Sequence, residues 1–314
     1  MGVTFKRATG DDRPHVLALL LTGRASGDEA AVGSFVAFAG DHHLSIEGLW
    51  AAWRGDTPIA AMLIVPSPGR TAMVFVSPMT GSATQPVVTG LARVVCATQD
   101  LNCVTMLQSL LDLPQHREAQ ALATAGFERL AELIYMQRPA DAPEVPLQLD
   151  SSLELVHWSD QHRGHFADAI MASYEQTLDC PGLVGLRQID DIIAGHKATG
   201  EFSPNLWFAL RCDDQPVAVM LLNVVPRRQS MELVYLGVSA TWRGRGIGRR
   251  LLAHGLGLAG RQKATNIILA VDQRNKPALR LYRSLRFTST TRKLAMIYNL
   301  GDGCAGSAEA TATP

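Results

Sequence analysis

Neither sign of charge is in surplus along the 314 residues: 29 Lys and Arg face 29 Asp and Glu, and together they make up 18% of the chain. No global field favours nucleic acid or acidic membranes, so nucleic acid is not an expected substrate. No predominantly apolar run reaches the roughly 18 residues a membrane helix requires. The opening residues Met1-Gly2-Val3-Thr4-Phe5-Lys6-Arg7 lack the apolar core of a secretory signal, and a cytoplasmic chain with no membrane partner is the expectation. The five cysteines, Cys96, Cys103, Cys180, Cys212 and Cys304, are odd in number and lack C-x-x-C spacing. That argues against a disulfide framework and a structural zinc site, and they read as thiols. His42-His43, His162 and His165 have no third ligand at a recognisable spacing, and no metal is expected.

What the chain does have is length and a 47% apolar content, enough for two ordinary domains with their own cores. The first half reads as a strand at 3–7, a helix opened by Asp11-Asp12-Arg13-Pro14, and a meander at 49–53, 59–65 and 72–76. A helix at 85–97, a strand at 104–107, a helix at 118–125 and strands near Phe127 and at 133–136 complete it. Pro139, Pro143 and Pro146 then interrupt the pattern as a linker would.

The second half repeats the order, with a strand at 153–156, helices at 162–174 and 188–197, and strands at 206–211, 217–224 and 232–238. After a glycine loop and its helix come a strand at 267–271, a helix at 277–285, and strands near Phe287 and at 294–298. Two copies of one α+β unit are the economical reading, an unrelated first domain the plainer one. The tail 302–314 is small and polar and is expected to be disordered.

The stretch Gly237-Val238-Ser239-Ala240-Thr241-Trp242-Arg243-Gly244-Arg245-Gly246-Ile247-Gly248-Arg249-Arg250 lies between an apolar run at 233–236 and Leu251, Leu252, Leu258 and Ala259 at helical spacing. It reads as strand, glycine loop, helix. Such a loop gathers N–H groups with no intrahelical carbonyl at the positive end of the helix dipole, which makes a phosphate cradle. Arg243, Arg245, Arg249 and Arg250 crowd an end where each cation is disfavoured by roughly 0.3–1 kcal/mol, and a bound anion would reverse that sign. Neither the Gly-Lys-Ser/Thr of a P-loop nor a dinucleotide fingerprint is present. A glycine-rich turn with solvated arginines is the plainer alternative.

Arg243-x-x-Gly246-x-Gly248 resembles the acyl-CoA pyrophosphate loop of the GCN5-related N-acetyltransferase family. A second motif, Asn275-x-x-Ala278-x-x-x-Tyr282 with Phe287 after it, follows in the family's order and separation. The resemblance covers nearly all of the second half and departs at Arg286, where the family often has glycine. It implies two tandem domains of that α+β fold, each a mixed, mostly antiparallel sheet flanked by helices. Residues 1–140 would be a degenerate copy without a phosphate loop, 141–150 a Pro-rich linker, and 151–301 the active domain. In an ungapped match of Val76 with Val238, Gly81 stands opposite Arg243, Thr84 opposite Gly246 and Pro86 opposite Gly248; matching Phe127 with Phe287 sets Leu122 opposite Tyr282. The tandem arrangement resembles that of the mycothiol synthases.

The resemblance further implies acetyl-CoA as cosubstrate. Its pyrophosphate would lie on Arg243, Gly244, Arg245, Gly246, Ile247, Gly248 and Arg249, its pantetheine arm along the main chain of Leu236 and Val238, and Asn275 would be a further contact. Tyr282 would be the general acid and Glu232 the base, directly or through a water, as in histone-acetyltransferase relatives; alternatively Glu232 is a solvated or ion-paired strand residue. The loop between the first two helices, with Tyr174, Glu175 and Asp179, would meet the acceptor. Cys180 beside them has no placeable histidine and reads as a passive thiol rather than a nucleophile. The activity implied is acetyl transfer to the primary amine of a small molecule, by a monomer or homodimer. A non-catalytic acyl-CoA-binding regulator is the other reading.

Overall fold

The computed structural model describes residues 2–25, 29–41, 44–100, 103–141 and 146–301; His42-His43, Cys304, Pro143 and the tail 302–314 lie outside them. In chain order they form β1 (Val3–Arg7), α1 (Asp12–Thr22), α2 (Glu29–Asp41), β2 (Leu49–Arg54), β3 (Thr57–Ser67), β4 (Thr71–Val76), α3 (Gln85–Ala97), β5 (Met106–Asp112), α4 (His116–Ala125) and β6 (Glu128–Pro139). There follow β7 (Leu153–His157), α5 (Arg163–Tyr174), α6 (Ile189–Lys197), β8 (Trp207–Cys212), β9 (Gln215–Val225), β10 (Ser230–Val238), α7 (Ile247–Arg261), β11 (Asn266–Asp272), α8 (Lys276–Ser284) and β12 (Thr288–Asn299).

Apolar periodicity marks nearly all of these, and the departures have physical causes. Helix α2 carries apolar residues all round and buries only Ala39, so no stripe announces it. Strands β6 and β12 each run unbroken for 12 residues where the apolar pattern suggests two pieces. The start of β12, residues 288–292, is polar and exposed. Ladder hydrogen bonds, which need no apolar side chain, carry the strand through it.

The chain divides into two compact units, Met1–Leu130 with the described residues from Leu294 on, and Ala131–Lys293. In the first, β1 to β4 pair antiparallel in sequence and β4 pairs parallel with β5. Leu49, Ala51 and Trp53 meet Val16, Leu17 and Leu20 of α1 on one face. Trp50, Ala52 and Met62 meet Val88 and Leu91 of α3 and Leu122 of α4 on the other, as the two-residue alternation of strands dictates.

The second unit repeats the plan: β7 to β10 are antiparallel, β10 runs parallel to β11, and β11 pairs antiparallel with β6. Phe166 and Ile170 of α5 and Ile192 of α6 cover Trp207 and Val219 on one face. Leu251, Leu252 and Leu256 of α7 and Leu279 of α8 cover Phe208, Met220 and Leu222 on the other. Each such side chain, fully buried, contributes about 1.5–3 kcal/mol. The four described cysteines are free, and among the described residues no helix is long and apolar enough to cross a membrane.

Candidate active site

Strand β10 pairs with β11 only through Ser230, Met231 and Glu232, yet stays on β9 as far as Val238, with a bulge between Leu233 and Tyr235. Beyond Glu232 the two strands part, and the β11-facing N–H and C=O groups of β10 have no partner strand. Gly237 sits where α5 presses closest: an added Cβ would strike the Ser173 side chain, which is why a strand interior here holds glycine. Ser173 Oγ lies 2.7 Å from Tyr235 Oη. The parting opens a cavity of about 170 Å³ whose walls include Leu236, Val238, Asp179, Arg243, Asn275 and Tyr282.

At the end of β10 a 3₁₀ turn, Ala240–Trp242, leads into the glycine loop. Gly244 and Gly246 adopt φ of +78° and +75°, and an added Cβ at either would face open space. The loop thus demands left-handed backbone, which glycine supplies without strain. Gly246 caps α7, so the N–H groups of Ile247, Gly248 and Arg249 in its first turn have no helical acceptor. Ile247 is buried and anchors that turn. Gly248 lacks such a constraint: its added Cβ would lie 3.6 Å from Val238 and 3.8 Å from Leu281, ordinary contacts.

The arginines divide. Arg245 lies 4.5 Å over the Trp242 ring, Arg249 donates to Ser284 Oγ at 2.7 Å, and Arg250 faces Asp150 at 3.5 Å. Arg243 turns to the segment after α5: its Nε donates to Val238 O at 3.1 Å, Nη1 to Gln176 O at 3.2 Å, and Nη2 to Ser173 O at 2.9 Å and Glu175 O at 2.7 Å. A cation at a helix C-terminus is favourably placed. Four of its five donors are therefore engaged with main-chain carbonyls, and its own N–H donates to Ala240 O at 3.3 Å.

Tyr282 is 7% exposed, packs edge-on against Phe287 and has its pKa raised by burial and by the charge of Asp179. Asn275 caps α8, its Oδ1 accepting from Ala278 N–H at 3.2 Å. Asp179 Oδ1 accepts from Asp272 N–H at 3.0 Å. Protein crowding around the Asp179 carboxyl raises its pKa, against the hydrogen bonds from Asp272 and Asn275. The residue nonetheless keeps an exposed face, which limits that rise. Asp272 is fully buried and held by Arg274 at 2.6 Å. Tyr174 faces the Tyr235 ring, and Glu175 contributes its carbonyl to Arg243; neither is among the cavity's walls. Glu232 stands outside them too: it pairs with Ile268 before the strands part, and burial raises its pKa against the pull of Arg228. The Cys180 thiol is pushed up to about 12 by burial and by Asp179.

Sequence reasoning did not single out Ser173, Tyr235 or Asp272. Gly237 inside a strand is the signal that could have found the close approach of α5; the bulge that admits Tyr235 has no signature of its own.

The first unit differs at the matching place. Its α3 follows Thr84 in extended conformation and has proline in its first turn, which removes an N–H. The buried Glu118 carboxylate accepts from Met79 N–H at 2.6 Å, and Leu122, fully buried, stands where Tyr282 does. Gln115 is the N-cap of α4, as Asn275 is of α8.

No curated protein matches the chain significantly. Residues 169–287 match the model of the Acetyltransferase (GNAT) family. A GCN5-related N-acetyltransferase from Sphaerobacter thermophilus is similar in structure over 95% of this chain and 96% of its own, with TM-score 0.60 and 15% identity. The GCN5-related glucosamine N-acetyltransferase region of a fungal multi-domain GH3 β-N-acetylglucosaminidase is similar over 94% of this chain and 38% of that one, with TM-score 0.57 and 13% identity. Identities this low speak for fold alone. The fold is that of the GNAT acetyltransferases in tandem, with the family's sequence match running over residues 169–287.

Proposed function

We propose that the second unit is an acetyl-CoA-dependent N-acetyltransferase acting on the primary amine of a small molecule, in the cytoplasm, as a monomer or homodimer. The observation that carries this reading is the parting of β10 from β11 above a glycine loop that presents free N–H groups at the start of α7. Pyrophosphate would lie on the backbone of residues 244–249, and the pantetheine arm would enter the gap along Leu236 and Val238. A cavity of about 170 Å³ is below the usual range for whole ligands and suits a thioester end with an amine head. Ser239 N–H donates to Val217 O at 2.9 Å; alternation along the ladder turns the Val238 N–H toward the gap, where it would hold the developing oxyanion.

Tyr282, kept protonated by its surroundings, would supply the proton to the leaving thiolate. The first unit, with Pro86 and Glu118 where the cradle would be, would bind no cofactor. The likeness to mycothiol synthases is one of arrangement and carries no substrate with it. Release of free thiol from acetyl-CoA in the presence of a broad panel of primary amines tests the reading: turnover with some member supports it. Tight binding of acetyl-CoA without release for every amine would favour a regulator.

A further inference from the structure

We propose that Asp179 receives the ammonium group of the acceptor and takes its proton, so that the second unit selects cationic amines. This rests on the acyl-transfer reading above. Several carboxylates lie near the cavity, and among the described residues Asp179 is the one in its wall. Glu232 is placed below the parting of the strands. Asp272 is sealed from solvent, accepting from Cys180 N–H at 3.2 Å and from the Arg274 guanidinium. Glu175 contributes its carbonyl to Arg243 and is not part of the wall. Asp179 forms part of the wall and keeps an exposed face.

Its carboxyl is also held in position. Oδ1 accepts from Asp272 N–H at 3.0 Å, and its side chain is hydrogen-bonded to Asn275, which is itself fixed on Ala278 N–H. The residue's own N–H donates to Thr177 Oγ1 at 3.1 Å. Around it stand Tyr174 and Cys180 of the same segment, Tyr235 of β10, the Asp272–Arg274 pair and Tyr282 of α8. No cationic side chain among the described residues is paired with it. A carboxylate beside a second carboxylate, crowded by protein and lacking a cation, is held above the usual carboxylate range, which suits a group that must gain a proton. An entering ammonium supplies the missing partner. The sequence places Asp179 in the acceptor loop; the structure adds the cavity wall and the proximity to Tyr282.

The ammonium nitrogen passes one proton to the Asp179 carboxylate, and its freed lone pair forms the C–N bond to the thioester carbonyl. Collapse breaks the C–S bond, the sulfur takes the Tyr282 proton, and the second proton on nitrogen restores the tyrosine. Protonated Asp179 then releases its proton to solvent through the mouth.

Two measurements test it, the first independent of turnover. In protein labelled with ¹³Cγ-aspartate, the resonance missing from Asp179→Asn should titrate above the ordinary carboxylate range, and should move to lower pH when methylammonium chloride is added but not with sodium chloride. A resonance indifferent to methylammonium overturns the proposal. The second measures thiol release from acetyl-CoA at neutral pH. With methylamine, Asp179→Asn should slow it by about 10²-fold or more, with the deficit shrinking as pH rises. With hydroxylamine, whose nitrogen is unprotonated at neutral pH, the loss should stay within roughly threefold, and acetyl-CoA affinity should be unchanged. Equal losses with both nucleophiles, or a large loss in Glu232→Gln with none in Asp179→Asn, contradict the proposal. If wild type releases no thiol with either amine while the carboxyl still responds to methylammonium, the ammonium site stands and the acyl-transfer reading falls.

Discussion

Replacing Arg243 with methionine removes the guanidinium and keeps most of the side-chain volume, so it separates two roles for this residue. The side chain makes four hydrogen bonds, to Val238, Ser173, Glu175 and Gln176 carbonyls. Bonds from a charged donor are worth about 1.5–3 kcal/mol each when buried. Arg243 is exposed, and water can replace it at those carbonyls, so about 0.5 kcal/mol each, or roughly 2 kcal/mol together, is the reasonable scale. That clamp opposes a local strain, because Gln176 is held at φ 51°, a conformation costing an L-residue about 1–2 kcal/mol. Without the clamp the segment leading to Asp179 relaxes. The KM for the amine should rise about 10- to 30-fold, the equivalent of the lost 2 kcal/mol, while calorimetry finds acetyl-CoA affinity within about twofold of wild type. Initial rates across amine concentration read the first, and titration reads the second. Weaker acetyl-CoA binding by tenfold with the amine KM unmoved would show that the guanidinium serves the phosphates and that the clamp is incidental.

Other outcomes follow from the same geometry. Tyr282→Phe keeps the ring packed on Phe287 and removes only the proton, so kcat should fall about 10²–10⁴-fold with little change in acetyl-CoA affinity; a kcat within about twofold, with chemistry rate-limiting, would make the tyrosine structural. Arg286 adopts φ 66° where the first unit has Gly126 at φ 109°, so Arg286→Gly should relieve about 1–2 kcal/mol of backbone strain against about 0.5–1 kcal/mol of added unfolded-state entropy. A Tm equal to or above wild type is expected, and a clear fall would refute the strain argument. The half-buried His196 lies against the Tyr235 ring, and desolvation of its imidazole, with the charge of Arg187, lowers its pKa to about 4 from 6.5. The unfolded chain therefore binds the extra proton first. Stability is intact above about pH 6.5 and is lost as pH falls toward 4, by about 3 kcal/mol in all. Urea unfolding of His196→Phe should show a shallower loss across that window; an identical slope would place the acid sensitivity elsewhere.

The element order was legible because most strands and helices here bury one periodic face, and the glycine loop was legible because its glycines, left-handed at 244 and 246, stand between a strand and a helix. Asn275 was named only through the family motif, and its role as the cap of α8 is a finding of the structure. What could not be read was set by contacts far apart in sequence. That Glu232 pairs before the strands part, and that Asp179 joins the cavity wall, depend on where β11 diverges from β10 and on a segment pinned by Arg243 about 65 residues away in the chain. Helix α2 escaped because a helix apolar on every side leaves no stripe. The Arg286 departure is a further instance: the sequence shows the missing glycine, and only the backbone shows that the left-handed conformation is kept without it.

Titrating acetyl-CoA into wild type and Gly246→Asp in a calorimeter shows whether the gap between β10 and β11, with its glycine loop, holds one acyl-CoA. The substitution should spare the fold, because aspartate tolerates positive φ better than most residues and the space beside Gly246 is open. It sets a carboxylate where the pyrophosphate must meet bare backbone. One acetyl-CoA should bind per wild-type chain and none detectably in the variant, at an unchanged Tm. Two bound per chain, or equal affinity in the variant, would contradict this reading.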